Sequence, residues 1–235
     1  MTMLSSASDC ARKPILFVDC DGFLFNTIPA HVRYFHDRYG VTISESEFLA
    51  HPDLIELLRM HDPALCDIPG SQIFDALNYE FMNSWEYHQG VEPMPDMPHY
   101  LKLLDAYFEI RIVTLRSSIG KPVMYKLIEK YIPGIISEIH CVHILDTENR
   151  LSVISKREYI SNHKVVGSAF GDDSLHQIET THDIVPSILY DPYGAHNNNP
   201  VVRTGEITRA RSWQGLYDFF MKQLPAETQK TSYES

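Results

Sequence analysis

The sequence predicts an α/β fold, a doubly wound parallel sheet with a small helical unit inserted after its first strand. Three observations predict it. From residue 98 onward short apolar runs alternate with amphipathic stretches, the pattern of strands connected through helices. The first apolar run, Ile15-Leu16-Phe17-Val18, is unbroken, as expected of a strand buried on both faces. Between Tyr39 and Met97 there is no convincing strand, and the apolar spacing is helical. The expected division is a core of residues 14–27 and 98–225, a helical insert at 28–97, and flexible termini at 1–13 and 226–235. A chain of 235 residues, 44% of them apolar, is long enough for that core and too apolar for global disorder.

In chain order, Pro14 opens the first strand, which stops at Asp19-Cys20-Asp21-Gly22. Ile28, Val32, Phe35 and Tyr39 then recur at helical spacing, opened by Thr27 with Pro29 in the first turn and closed by Gly40. Ser44-Glu45-Ser46-Glu47 has the form of a capping box and precedes Leu54, Ile55, Leu57 and Leu58. Ile73, Leu77, Phe81 and Trp85 mark an amphipathic helix after Pro69-Gly70, and the breaker-rich stretch 93–98 reads as a linker. A helix carrying Leu101, Leu104 and Phe108 leads to the strand Ile110-Arg111-Ile112-Val113-Thr114. A second, with Val123, Leu127, Ile128 and Tyr131, leads to a strand at 139–145. Short helices at 156–160 and 174–181 precede strands at 165–170 and 185–190, and Trp213, Leu216, Phe219 and Phe220 form the last amphipathic helix.

Composition limits the partners. With 31 acidic against 20 basic residues, a net charge of -11 disfavours long nucleic acid and anionic membrane. No apolar run approaches the roughly 20 residues that span a bilayer. The start, MTMLSSASDCARK, lacks the basic-then-apolar order of a signal peptide, so a cytoplasmic location is expected. Cys10, Cys20, Cys66 and Cys141 are scattered without a CxxC pair and read as reduced thiols. His140-Cys141-Val142-His143 is the densest group among twelve histidines. It lies in a strand-like segment, and no second cluster completes a tetrahedral zinc set.

The chemistry is concentrated at strand ends. One strand ends in Asp19 and Asp21, one in Thr114, and one in Asp172 and Asp173. In open α/β sheets ligands bind beyond the carboxyl ends of the strands. Each aspartate alone could be a helix cap or turn former. Two strand-terminal pairs with a threonine between them favour a site. Carboxylates so placed repel one another unless a cation neutralises them, and an all-oxygen set suits Mg²⁺.

These segments resemble the haloacid dehalogenase (HAD) superfamily. Residues 15–27, ILFVDCDGFLFNT, resemble its first motif, an apolar strand followed by DxDGxxxxT. Ile110-Arg111-Ile112-Val113-Thr114 resembles the second, Lys156 the third-motif lysine, and Gly171-Asp172-Asp173 the acidic fourth. The motifs stand in the expected order from Pro14 to Tyr190. The resemblance implies a Rossmann-like core, a small helical cap at 28–97 that closes over the strand ends, and a Mg²⁺-dependent phosphomonoester hydrolase. It implies Asp19 as the nucleophile that forms an aspartyl-phosphate, and Asp21 as general acid and then base, its carbonyl also on the metal. Thr114, with the amides of Leu115 and Arg116, would hold the phosphoryl oxygens, and a lysine would neutralise the developing charge. Asp172 would bind the metal, with Asp173 beside it directly or through water. Lys156 is preferred as that lysine over Lys121, which also lies near the loop; Lys164 falls at the wrong end of its strand. The Arg116 side chain could reach a phosphate or face solvent. Cys20 would pack behind the nucleophile.

A small cap favours a small phosphorylated metabolite as substrate, with Phe23, Phe25, Tyr34, Trp85 and Tyr87 as aromatic walls or as cap core. A narrower likeness is to the 5′(3′)-deoxyribonucleotidase branch. It rests on the segment 90–96, the doublet Asp172-Asp173, Asp191-Pro192-Tyr193 and the late Trp213. The chain departs from that branch at Cys20 and at Phe23-Leu24-Phe25. A nucleoside monophosphate is therefore the leading substrate expectation. The alternative from another class is a non-catalytic relative that binds a metabolite or a protein partner.

Overall fold

The computed structural model describes residues 13–51, 54–142 and 155–226. The expected flexible ends fall almost wholly outside the described residues, as do Cys10 and His143. In chain order the elements are β1 (Ile15–Val18), β2 (Phe25–Asn26), α1 (Ile28–Tyr39), α2 (Glu45–Ala50), α3 (Leu54–His61), α4 (Gly70–Ala76) and α5 (Trp85–His88). Then follow β3 (Glu92–Pro93), α6 (Met97–Asp105), β4 (Glu109–Thr114), α7 (Lys121–Tyr131) and β5 (Ile136–Cys141). The chain closes with α8 (Lys156–His163), β6 (Ala169–Asp172), α9 (Leu175–Thr181), β7 (Ser187–Tyr190), α10 (Pro200–Arg203), β8 (Arg209–Ala210) and α11 (Trp213–Met221).

Six strands form one parallel sheet in the order β5-β4-β1-β6-β7-β8. The chain builds outward from β1 to β4 and β5, then returns to the other side of β1 with β6. The strand order therefore reverses at β1, where a crevice opens at the carboxyl ends. Two apolar layers flank the sheet. Leu16, Val18, Ile110, Ile112 and Ile188 pack on one side with Leu101, Leu127, Trp213 and Phe220. Ile15, Phe17, Val113, Phe170 and Leu189 pack on the other with Tyr159, Ile160 and Ile178. All four residues of β1 are fully buried, which is why the run reads as continuously apolar.

Between β2 and β3 the chain is helical. Ser44 caps α2 in a complete capping box with Glu47, as its sequence predicts. Gly40 ends α1 in the left-handed region at φ 69°. The single helix expected through Trp85 is broken instead. After α4 comes a wider, π-type turn at Leu77–Phe81, and α5 restarts after Ser84. A strand also exists where none was expected. Glu92–Pro93 pairs antiparallel with Phe25–Asn26, a two-residue clasp at the root of the insert. A proline in so short a pairing leaves no period-2 pattern to read.

Other boundaries move for identifiable reasons. The strand expected at 139–145 is β5, Ile136–Cys141; its edge position leaves Ser137 and Glu138 exposed, so apolar content misplaces it. Residue 145 lies outside the described residues. Residues 165–168 form a turn with Gly167 at φ 83°, and β6 starts only at Ala169. Pro186 delays β7 to Ser187. Neither β8 nor α10 was expected, being short and weakly apolar.

Candidate active site

Register brings the strand-end residues together. Val18 pairs with Gly171 on one side and Ile112 on the other. The Asp19 amide continues the first ladder by donating to the Gly171 carbonyl at 3.0 Å. Asp19 is thereby set beside Asp172, with Thr114 two residues beyond Ile112 on the opposite neighbour. Thr114 is buried, and its Oγ1 accepts from the Arg116 amide at 3.3 Å, tightening the loop after β4.

Lys156 enters from the first turn of α8, whose start is capped by Ser155 accepting from the Glu158 amide. Its side chain is almost wholly enclosed. Nζ donates to Asp19 Oδ1 at 2.6 Å and to Asp172 Oδ2 at 2.7 Å. Burial would lower the pKa of this ammonium, but the two carboxylates outweigh it and raise it. Lys156 thus bridges the ends of β1 and β6. Lys164, by contrast, donates to the Ile184 carbonyl at the far end of the sheet.

The carboxylates outnumber this lysine. Oxygens of Asp19, Asp172 and Asp173 lie within 4.8 Å of one another, the one group of metal-competent side chains found among the described residues. Asp172 is engaged on both oxygens, since Oδ1 accepts from the Ser174 amide at 2.9 Å. Burial raises the Asp19 carboxyl to about 7; Asp172 and Asp21 add to the rise and Lys156 opposes it. Burial and the same cluster's Asp172 and Asp19 push Asp173 well above the ordinary carboxylate range. Gly22 makes room for Asp173. At φ 68° it sits in the left-handed region, and a Cβ there would fall 2.0 Å from Asp173 Oδ2. An oxygen-only, over-charged cluster of this kind fits a hard divalent cation.

Asp21 lies to one side of that cluster. Burial would raise its carboxyl, but Arg116 holds it well below the usual carboxylate range. The guanidinium grips it bidentately, Nε to Oδ2 at 2.7 Å and Nη2 to Oδ1 at 2.6 Å. Neither role foreseen for the Arg116 side chain holds in this state: it is 2% exposed and paired with Asp21 rather than free in solvent or open to a phosphate. Leu115 is half exposed beside it, leaving only its backbone for the site.

Two residues of the insert that sequence reasoning missed adjoin this pair. His88 accepts at Nε2 from Arg116 Nη2 at 3.2 Å, and His31 lies close enough for Asp21 and Arg116 to influence its protonation. Each imidazole uses Nδ1 on a carbonyl one helical turn back, Thr27 at 2.9 Å and Ser84 at 2.8 Å. A carbonyl only accepts, so Nδ1 carries the proton and Nε2 is left as the acceptor. Burial lowers both histidines to about 4. No local motif could have shown this.

The remaining expectations divide. Phe23, Phe25 and Tyr34 are core rather than pocket wall, while Trp85 and Tyr87 are partly buried against it. Phe23 also fills the space over Gly171, whose Cβ would approach Phe23 Cζ to 2.5 Å. Trp213 packs edge-on to Phe23 and Tyr190 behind the site. Cys20 is buried, and burial pushes its thiol up, which suits packing rather than reactivity. His140 stacks on Tyr159 at 3.9 Å and Tyr159 on His163 at 4.2 Å, an aromatic column.

A scan of protein-family models gives no match, and no curated protein matches. Solved structures do. A chain from Clostridium acetobutylicum described as a predicted phosphatase aligns with a TM-score of 0.61 at 14% identity, covering 90% of this chain and 100% of its own. A HAD-superfamily hydrolase of subfamily IA from Geobacter sulfurreducens aligns at 0.56 and 14%, covering 88% and 96%. A Bacillus subtilis protein provisionally described as a HAD-hydrolase, solved bound to magnesium, aligns at 0.55 and 13%, covering 89% and 99%. The chain therefore has the fold of the HAD superfamily, a six-stranded parallel sheet flanked by helices.

Proposed function

We propose that the chain is a Mg²⁺-dependent phosphomonoester hydrolase that works through an aspartyl-phosphate on Asp19. The observation that carries this reading is the buried Lys156 bridging Asp19 and Asp172 at adjoining strand ends, with Asp173 as a third carboxyl in the same cluster. A packing role alone gives no reason to gather three carboxylates around one lysine. Asp19, Asp172 and Asp173 would hold the metal, with the Asp21 carbonyl as the further oxygen that the resemblance implies. Bound there, Mg²⁺ supplies charge neutralisation for the phosphoryl group and orients it.

The protein's own groups do the rest. An Asp19 carboxylate oxygen attacks phosphorus; the bond from phosphorus to the leaving oxygen breaks, and that oxygen takes a proton from Asp21. Water then attacks phosphorus and gives a proton to Asp21, the acyl–phosphate bond breaks, and inorganic phosphate leaves. Thr114 and the amide of Leu115 face the transferring oxygens, while Lys156 balances their charge. The Arg116 pair favours ionised Asp21, the form the second step needs.

The small helical insert between β2 and β3, next to the strand ends, supports a small phosphorylated metabolite as substrate. Within that class a nucleoside monophosphate leads, on the Asp172-Asp173 doublet, the Asp191-Pro192-Tyr193 turn and Trp213. The free thiols of Cys20 and Cys66 agree with a reducing, cytoplasmic compartment. Phosphate release should be screened across mononucleotides and sugar phosphates with Mg²⁺. Release from a mononucleotide supports the assignment. Release only from sugar phosphates retires the nucleotide reading, and none from any retires the hydrolase.

A further inference from the structure

We infer that His88, on the last turn of α5 in the insert, is a positioning residue for the water step, acting on Asp21 through Arg116. This rests on the hydrolase reading above. His88 is fully buried and cannot turn freely, because Nδ1 is tied to the Ser84 carbonyl and its ring lies 4.7 Å from that of Phe81. Its Nε2 lone pair faces Arg116 Nη2, the same nitrogen that grips Asp21 Oδ1. An arginine has donors only, so an acceptor at this spot fixes the guanidinium without competing for the carboxylate.

Arg116 needs such an anchor. It is 2% exposed, and its Nη1 is buried with no partner, so its fork is held by Asp21 on one edge and His88 alone on the other. Core and insert meet around its aliphatic stem: a Cβ on Gly120 would lie 3.8 Å from Arg116 Cδ and 3.2 Å from the Met82 carbonyl oxygen of the insert. The chain of contacts Ser84–His88–Arg116–Asp21 therefore transmits the seating of the insert to the carboxylate that receives the water proton. Each carboxylate oxygen keeps a free lone pair beyond the Arg116 contact, so the grip orients Asp21 without blocking it.

The test separates the two chemical steps. With p-nitrophenyl phosphate the leaving group departs without a proton, so kcat/KM reports formation of the aspartyl-phosphate and kcat reports its breakdown where that step limits. His88→Met removes the acceptor, and His88→Gln returns one near the Nε2 position. We expect His88→Met to lower kcat about tenfold with KM falling in parallel and kcat/KM held within about twofold, a misplacement effect on one step. Aspartyl-phosphate should accumulate in a larger burst, and His88→Gln should restore breakdown. Arg116→Lys, which keeps the charge and loses the fork, should show the same split and serves if His88→Met does not fold. Equal falls in kcat and kcat/KM at constant KM would mark a merely structural residue and overturn the inference. So would no change, or failure of His88→Gln to rescue. No turnover by the wild type overturns the hydrolase reading itself; turnover without the split overturns only the role of His88.

Discussion

A single buried ammonium holds two carboxylates at the centre of this protein. Lys156 Nζ lies 2.6 Å from Asp19 and 2.7 Å from Asp172, and all three side chains are nearly enclosed. Removing one partner from such a group leaves uncompensated buried charge. Lys156→Met should cost about 3–5 kcal/mol of stability in metal-free protein. It should also slow turnover by about 10²–10³-fold if, as proposed, its charge meets the transferring phosphoryl group. Urea unfolding and steady-state kinetics would check both. Lys156→Arg should restore neither, because a planar fork cannot take the place of one nitrogen between two oxygens in a fully packed site. Asp19, Thr114, Lys156 and the Asp172-Asp173 doublet were all legible in the sequence, because each stands at the end of an apolar run or at the start of a helix. The Arg116–Asp21 pair was not, since the partners are 95 residues apart and only the sheet register brings them together.

At the scale of elements, the insert carries chemistry that no pattern announced. His31 on α1 and His88 on α5 occupy what periodicity reads as ordinary helix positions, and both are buried next to Asp21 and Arg116. Their pKa values of about 4 lie below the ordinary 6.5, mainly through burial. The unfolded chain therefore binds their protons more readily, and the stability they contribute, present above pH 6.5, is lost as pH falls toward 4. Asp19 acts in the opposite sense. Its folded value near 7 exceeds the ordinary 3.8, so it favours the folded metal-free protein as pH falls through the same window. Comparison of variants isolates the histidines. Between pH 6.5 and 4 the double variant His31→Gln/His88→Gln should lose less stability than wild type, by on the order of a few kcal/mol. Denaturant unfolding across that range measures it, and parallel curves would refute it. The alternation of strands and helices, the capping box and the β1 core strand were readable because burial on both faces and cap chemistry are local. The β2–β3 clasp and the shifted start of β5 were not, because two-residue pairings and exposed edge strands leave little apolar signal.

Across the whole molecule, the reversal of strand order at β1 gathers negative charge in one crevice, and a divalent cation should feed back on the stability of the fold. At ten times its dissociation constant Mg²⁺ should add about 1.4 kcal/mol, read as a rise in thermal midpoint. Asp173→Asn should abolish that rise while leaving the metal-free protein at least as stable as wild type, because it removes a carboxylate that burial and its neighbours already disfavour. A variant that keeps the full rise would place the metal elsewhere. The net charge of -11 thus includes a small buried cluster that a cation would complete.

The central claim is covalent chemistry at Asp19, and it can be read at one residue. Turnover of an aryl phosphate with Mg²⁺ would be quenched in acid, reduced with borohydride and mapped by peptide mass spectrometry. An acyl phosphate on Asp19 is reduced to the alcohol, so residue 19 should appear as homoserine, only when substrate was present and not in Asp19→Asn. Sustained phosphate release with residue 19 unmodified, or with the conversion at Asp21 instead, would contradict the account.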